Sequence, residues 1–120
     1  RRGAAIIVLR PQYRRQFEEV WLMAIVEVKI VPVGTDSASM SSCVASCCKV
    51  LEGEGLKHQI TPTSTIIEGD LNQVLGVVRR MHEVPFNKGV DRVMTSIYID
   101  ERIDRSSSMA DMVDAVEAEI

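Results

Sequence analysis

Four segments of the chain alternate apolar and polar residues, which is the pattern of a β-strand with one buried face. The first is the clearest, because every second residue from Ala24 to Ile30 is apolar while Glu27 and Lys29 lie on the opposite face. Pro32 marks its end, since proline has no N–H for the strand ladder. Alternation and flanking turn residues predict strands at 24–33, 56–61, 64–69 and 91–100.

Three other segments space apolar residues three and four positions apart, as an amphipathic helix requires. This spacing predicts helices at 38–53, 70–84 and 107–119. Asp70 and the serines at 106–108 are the expected N-caps of the second and third helices. Pro85 is expected to end the second helix, because it breaks the hydrogen-bond pattern. The predicted buried stripe of that helix consists of Leu71, Val74, Leu75, Val78, Met81 and His82.

The order of these elements predicts an α+β fold, a ferredoxin-like βαββαβ sandwich with an additional C-terminal helix. In the usual strand order 4-1-3-2, two helices cover one face of the sheet and the other face is open. That open face is expected to carry Glu27, Glu68 and Tyr98 among apolar residues. Such a surface favours self-association, so a homodimer or homotetramer is expected.

Charge is distributed unevenly along the 120 residues. Of the 14 basic and 17 acidic residues, five and two lie in residues 1–22, so the remainder has a net charge of −6. Residues 1–22 are interpreted as an N-terminal extension, and 23–120 as the domain. The extension's apolar run of six residues is far below the ~20 that span a bilayer, so no membrane partner is expected. The acidic domain disfavours nucleic acid as a partner.

The three cysteines raise the question of a metal or redox site. Cys43, Cys47 and Cys48 contain no CxxC pair and have no histidine at the spacing of a zinc site. They are therefore interpreted as core residues of the first helix, and no metal is expected. Unpaired thiols are typical of a reducing compartment, which predicts a cytoplasmic protein.

The hydroxyl-rich turn at 61–65 is the strongest candidate for a binding site, because a strand entrance needs no such cluster. Glu27 and Glu68 are expected on the same face of adjacent central strands. Two carboxylates this close repel each other by about 1–4 kcal/mol at 4 Å, depending on the effective dielectric constant. Either Lys29 neutralises the pair, or a cationic or hydrogen-bonding ligand does.

Other function classes lack the residues they need. An RNA-binding sheet requires exposed aromatic side chains, and only Phe86 and Tyr98 follow residue 22. A phosphatase of similar fold requires an arginine at a phosphate-binding loop, where this chain has Asp36. No nucleophile and base are paired in the sequence, so the protein is not expected to be an enzyme.

Several motifs together resemble the YkoF-like thiamine-binding proteins, a family of small UPF0045-type proteins. They are VPVGT at 31–35, LEGEGLK at 51–57, TP at 61–62, EG at 68–69, MHE at 81–83, KG at 88–89 and RV at 92–93. The resemblance covers residues 23–120 and implies a ferredoxin-like fold, dimers or tetramers formed through the sheets, and non-catalytic binding of thiamine or its hydroxymethylpyrimidine moiety. No cofactor is implied beyond that ligand.

The expected ligand site combines the open face with the polar turn, at the sheet face and subunit interface. Its candidate residues are Glu27, Thr63, Ser64, Thr65, Glu68 and Tyr98. The alternative is a structural or regulatory homo-oligomer whose open sheet face is only a subunit interface.

Overall fold

A computed structural model describes residues 23–34, 41–105 and 108–120. The predicted extension at 1–22 therefore lies outside the described residues. The elements are β1 (Ala24–Val33), α1 (Ser41–Glu54), β2 (Lys57–Ile60), β3 (Thr65–Gly69), α2 (Leu71–Asn87), β4 (Arg92–Asp100) and α3 (Met109–Glu117). The predicted ferredoxin-like order with an added C-terminal helix is confirmed. In the described part of the chain, no helix is long and apolar enough to cross a bilayer.

The sheet has the order β2-β3-β1-β4, and every neighbouring pair is antiparallel. This is the predicted order 4-1-3-2. Glu27 lies opposite Ile66 on β3 and Tyr98 on β4, while Ile25 lies opposite Glu68. Because residues directly opposite each other share a sheet face, Glu27, Glu68 and Tyr98 all belong to the open face.

The other face of the sheet forms the core with α1 and α2. On this face Ala24, Val26 and Val28 of β1 are buried and Ile30 is partly buried, because alternate side chains of a strand point toward the helices. Leu51 and Met81 are among the largest fully buried side chains that the helices contribute. The buried core cluster consists of Ala24, Val26, Val28, Cys47, Leu51, Ile67, Val74, Val77, Val78 and Met81.

Helix α2 corrects the prediction that Pro85 ends it. The helix continues through a buried Pro85 to Asn87. Proline has no N–H to donate to the carbonyl four residues earlier, which is that of Met81. The Cys47 thiol on α1 donates to the Met81 oxygen instead, at 3.5 Å. A contact between helices therefore satisfies the acceptor that proline leaves free.

The buried stripe of α2 also differs from the prediction, and the predicted Leu71 and His82 are only partly buried. Val77 is buried, whereas Leu75 is exposed. Asp70 caps the helix as expected, and its carboxylate accepts from the Gln73 N–H at 3.1 Å. The preceding Gly69 allows close packing there, since an added Cβ would lie 2.8 Å from Leu56 Cδ2. The cap and the strand end thus fix where α2 leaves the sheet.

Helix α3 begins beside the open face. Ser108 and Asp111 form a reciprocal capping box, and the Met109 N–H donates to Glu68 Oε1 at 2.7 Å. None of the helix is buried, and its apolar side chains Met112, Val113 and Val116 are exposed. The chain thus places an amphipathic helix next to the open face and leaves the apolar side of that helix exposed.

Candidate functional site

The polar turn between β2 and β3 is held together by its own hydroxyls. Thr61 Oγ1 donates to the Ser64 carbonyl oxygen at 3.0 Å and accepts from the Ser64 N–H at 3.0 Å. The Thr61 N–H donates to the same carbonyl oxygen at 2.9 Å. Proline at 62 further restricts the backbone. The turn is therefore a preorganised element, in which the hydroxyls of Thr61 and Ser64 are held before any ligand arrives.

A hydrogen bond ties this turn to the centre of the sheet. The Ser64 hydroxyl donates to Glu27 Oε2 at 2.7 Å, a short charge-assisted bond. Among the described residues no salt bridge joins Glu27 to Lys29. The carboxylate of Glu68 instead accepts from the first turn of α3, where the helix dipole favours negative charge. Glu27 thus binds the turn, whereas Glu68 binds the start of α3.

A groove of about 890 Å³ lies on the helix side of this turn. Its walls come from the second half of β1, the first three turns of α1 and the turn itself, and Met81 of α2 also lines it. A volume of this size is within the range of about 300–1,000 Å³ that small-molecule sites occupy. Its principal polar lining residues are Lys29, Lys49, Glu52, Thr61, Thr63, Ser64 and Thr65.

The two buried thiols, Cys47 and Cys48, form an uncharged part of the groove wall. Burial, followed by the effect of the neighbouring Cys43, raises the pKa of Cys47 to about 12. Burial also raises the pKa of Cys48, and the negative charge of Glu52 acts in the same direction. Protonated thiols behave as small apolar groups. The groove therefore combines the apolar side chains and thiols of α1 with a hydroxyl-rich turn, one carboxylate and two lysines, Lys29 and Lys49.

The family model for "thiamine-binding protein" matches residues 26–117. The chain belongs to the thiamine-binding protein family. It is 44% identical over 98 residues to the UPF0045 protein YqgV of Bacillus subtilis, covering 78% of this chain and 94% of that one. It is 46% identical over 99 residues to a UPF0045 protein of Staphylococcus xylosus, covering 79% and 92% of the two chains.

Solved structures show the same fold in this family. The hypothetical protein MJ1052 of Methanocaldococcus jannaschii superposes with a TM-score of 0.73 at 33% identity, covering 79% of this chain and 96% of that one. A Thermotoga maritima protein with a proposed role in thiamine biosynthesis or salvage, TM0486, has a TM-score of 0.67 at 16% identity, covering 78% and 98%. The latter likeness concerns the fold alone.

In this thiamine-binding family member, the residues predicted for the ligand site are divided between two surfaces. Thr63, Ser64 and Thr65 line the groove, and Thr65 is buried against the helix layer. Glu27, Glu68 and Tyr98 lie on the open face instead. The physical reason is the two-residue period of a strand, which sends Thr65 and Ile66 to opposite faces. Ser64 connects the two surfaces, because it lines the groove and binds Glu27.

Sequence reasoning missed Glu52 and Lys49 as groove residues. Charged residues on a helix usually face solvent, so neither residue was distinguished from its neighbours. The sequence signal that could have found Glu52 is its spacing, because it lies one helical turn after the buried Cys48 and therefore on the same side of α1. Within the described part of the chain, no three His, Cys, Asp or Glu residues form a group that could hold a metal ion.

Proposed function

We propose that this protein binds thiamine or its hydroxymethylpyrimidine moiety in the groove between α1 and the 61–65 turn, without transforming it. The observation that supports this proposal is the groove itself, which combines a carboxylate, two lysines and the hydroxyls of the turn with apolar surface. Membership of the thiamine-binding family supports the choice of ligand. No further cofactor is required for binding.

The groove's chemistry suits both halves of thiamine. The aminopyrimidine ring carries hydrogen-bond donors and acceptors, and the thiazolium ring carries a positive charge. Glu52 accepts from the amino group or lies near the cation, and the hydroxyls of Thr63 and Ser64 complete the polar contacts. Val44 and Met81 offer apolar surface to the ring faces. Glu27 acts indirectly, because it orients the Ser64 hydroxyl.

A binding role without catalysis is supported by the protonation of the groove's side chains. Cys47 and Cys48 have raised pKa values and are poor nucleophiles at neutral pH. Neither histidine lines the groove. The Nδ1 atom of His58 lies 3.1 Å from the Leu56 carbonyl oxygen, and that of His82 is hydrogen-bonded to the Thr95 hydroxyl. The free thiols also support a reducing, cytoplasmic location.

Calorimetric titration with thiamine, and separately with hydroxymethylpyrimidine, tests this proposal. Glu52→Gln is expected to weaken binding about tenfold or more, because a hydrogen bond to a charged group contributes about 1.5–3 kcal/mol. Glu117→Gln is the matched control, an exposed acidic residue on α3, and should bind as the wild type does. The absence of heat with wild-type protein would reject the ligand.

The same titration separates the groove from the sheet-face site expected from the sequence. If the groove is the site, Glu27→Gln should weaken binding less than Glu52→Gln, because Glu27 acts only through Ser64. A larger loss in Glu27→Gln, together with a loss in Tyr98→Ala, would move the ligand to the open face.

A structural or regulatory homo-oligomer is the second candidate function. The specific observation in its favour is the exposure of apolar side chains on the open face, where Met94 is 56% and Tyr98 68% exposed. A patch of this kind commonly marks a protein interface. A stable oligomer whose groove binds neither thiamine nor the pyrimidine would favour this candidate over the first.

A further inference from the structure

Strand β3 ends before β1 does, which leaves part of a central strand without a neighbour on one side. The pairing of β1 with β3 stops at Val28 opposite Thr65, whereas β1 continues to Val33 and stays paired with β4 to its end. In the described part of the chain, the β3 side of β1 is therefore an open edge from residue 29 onward. This edge belongs to the groove, because Ile30 and Val31 are among the residues that line it.

The turn between β2 and β3 determines which main-chain groups point to this edge. The Thr61 N–H donates to the Ser64 carbonyl oxygen at 2.9 Å, so these two residues form the hydrogen-bonded pair that closes the hairpin. Because the direction of hydrogen bonding alternates along a strand, the N–H and C=O of Thr65 point to β1, where they face Val28. Two residues further along β1, the N–H and C=O of Ile30 point to the same side, where β3 has already ended.

The proline in β1 independently supports this direction. Pro32 lies opposite Val93 of β4, and a paired strand accepts proline where its missing N–H takes no part in the ladder. The nitrogen of Pro32 therefore faces away from β4, and so do the N–H and C=O of Ile30, two residues earlier. Among the described residues, no turn or loop group is hydrogen-bonded to the Ile30 main chain. Ile30 thus presents one donor and one acceptor to the groove.

We propose that the main chain of Ile30 binds the aminopyrimidine ring of the ligand, an inference that rests on the proposed function. The Ile30 N–H donates to a ring nitrogen, and the Ile30 C=O accepts from the amino group beside that nitrogen. Both groups can be paired at once, because the N–H and C=O of a strand residue lie next to each other on one side of the chain. The ring thereby occupies the hydrogen-bonding position that another strand residue would take.

This contact makes the pyrimidine the half of thiamine that the strand edge recognises. The thiazolium nitrogen is alkylated and has no amino group beside it, so that ring cannot pair with both groups of Ile30. A donor or acceptor that a ligand covers without pairing costs free energy. The open edge therefore selects ligands that carry an amino group next to a ring nitrogen.

Fast exchange of amide protons with water, measured by NMR, tests the contact at the atom concerned. In the free protein, the Ile30 N–H is expected to exchange rapidly, whereas the Val31 N–H points to β4 and is protected by the ladder. Saturating hydroxymethylpyrimidine or thiamine should slow exchange at Ile30 about tenfold or more, because the amide becomes hydrogen-bonded. The free thiazole half of thiamine is the control ligand and should not slow it. Protection of Ile30 in the free protein, or rapid exchange that bound thiamine leaves unchanged, would overturn the proposal.

Replacing Ile30 by proline removes the donor and supplies a second test. The ladder to β4 is kept, because the lost N–H points away from β4 as the nitrogen of Pro32 does. Ile30→Ala is the matched control, since it also loses the packing of the side chain against the core but retains the N–H. In calorimetric titrations, Ile30→Pro should bind thiamine about tenfold more weakly than Ile30→Ala.

The titrations also distinguish this inference from the function on which it rests. Wild-type protein that gives no heat with thiamine or the pyrimidine would reject the ligand, and the contact with it. Heat from the wild type together with equal affinities of Ile30→Pro and Ile30→Ala would reject the main-chain contact alone and leave the proposed function standing.

Discussion

The buried thiol of Cys47 links the stability of this protein to pH. Burial, together with the neighbouring Cys43 and Cys48, raises its pKa in the folded state to about 12, whereas an unfolded thiol titrates near its ordinary value of 9.0. Between these values the folded chain keeps a proton that the unfolded chain loses. The thiol's contribution to stability is therefore fully present below pH 9 and decreases as the pH rises toward 12.

We predict that replacing Cys47 by alanine flattens this alkaline loss of stability. The free energy of unfolding of the wild type should fall more steeply above pH 9 than that of Cys47→Ala, by up to ~1.4 kcal/mol per pH unit. Urea denaturation under reducing conditions at pH 8, 9, 10 and 11 measures both slopes. Ser42→Ala, an exposed position on the same helix, should retain the wild-type slope. Identical slopes in Cys47→Ala and wild type would contradict the prediction.

At the scale of single residues, the sequence located half of the candidate site. The hydroxyls of the 61–65 turn were predicted because Thr, Ser and Pro cluster there for a local reason. Glu52 was not predicted, since its position on the groove side depends on the rotation of α1 against the sheet. That rotation is set by packing across helices and strands, which neighbouring residues in sequence do not specify.

At the scale of elements, Glu68 has a structural explanation in addition to the ligand role expected from sequence. Its carboxylate accepts from the Met109 N–H, one of the unpaired donors at the start of α3. The negative charge also interacts favourably with the helix dipole, an effect of about 0.3–1 kcal/mol. This contact is the hydrogen bond that ties α3 to the sheet in the described part of the chain.

We therefore predict that Glu68→Ala loosens α3 without changing the core. Amide hydrogen exchange at residues 109–112 should become faster, while exchange in β1 and β3 remains as in wild type. Asp91→Ala, in the loop before β4, is the control and should leave α3 unchanged. Thiamine affinity should also be unaffected if the groove is the site. Unchanged exchange in α3 would show that Glu68 does not hold the helix.

At the scale of the whole molecule, the open face and α3 leave several large apolar side chains exposed. Tyr98 and Met94 lie on the sheet, and Met112, Val113 and Val116 lie on the adjacent helix. Burying apolar area contributes about 25 cal/mol per Å², so covering this surface favours association. We expect the mass in solution to be at least twice the 13.4 kDa of one chain.

Static light scattering at ~100 µM, far above the dissociation constant of an interface of about −8 kcal/mol, measures this mass. Tyr98→Ser should weaken association, because the ring is the most exposed aromatic surface of the open face. Leu75→Ser on the outer surface of α2 is the control and should not. A monomeric wild type at this concentration would contradict the prediction that the protein self-associates.

The sequence by itself determined the elements, their order and the family. Strand alternation, helical stripes and the caps at Asp70 and Ser108 each depend on residues close together in the chain, so they can be read locally. Because these local signals agreed with one another, the ferredoxin-like order followed from them.

Only the tertiary structure decided how the elements meet. Cys47 reaches the Met81 carbonyl across 34 residues and lets α2 continue through Pro85. Ser64 reaches Glu27 across 37 residues, and Met109 reaches Glu68 across 41. Each of these contacts depends on the rotation and distance of packed segments. The rotation and distance of packed segments are not encoded by any periodicity along the chain. They are fixed only when the elements pack together.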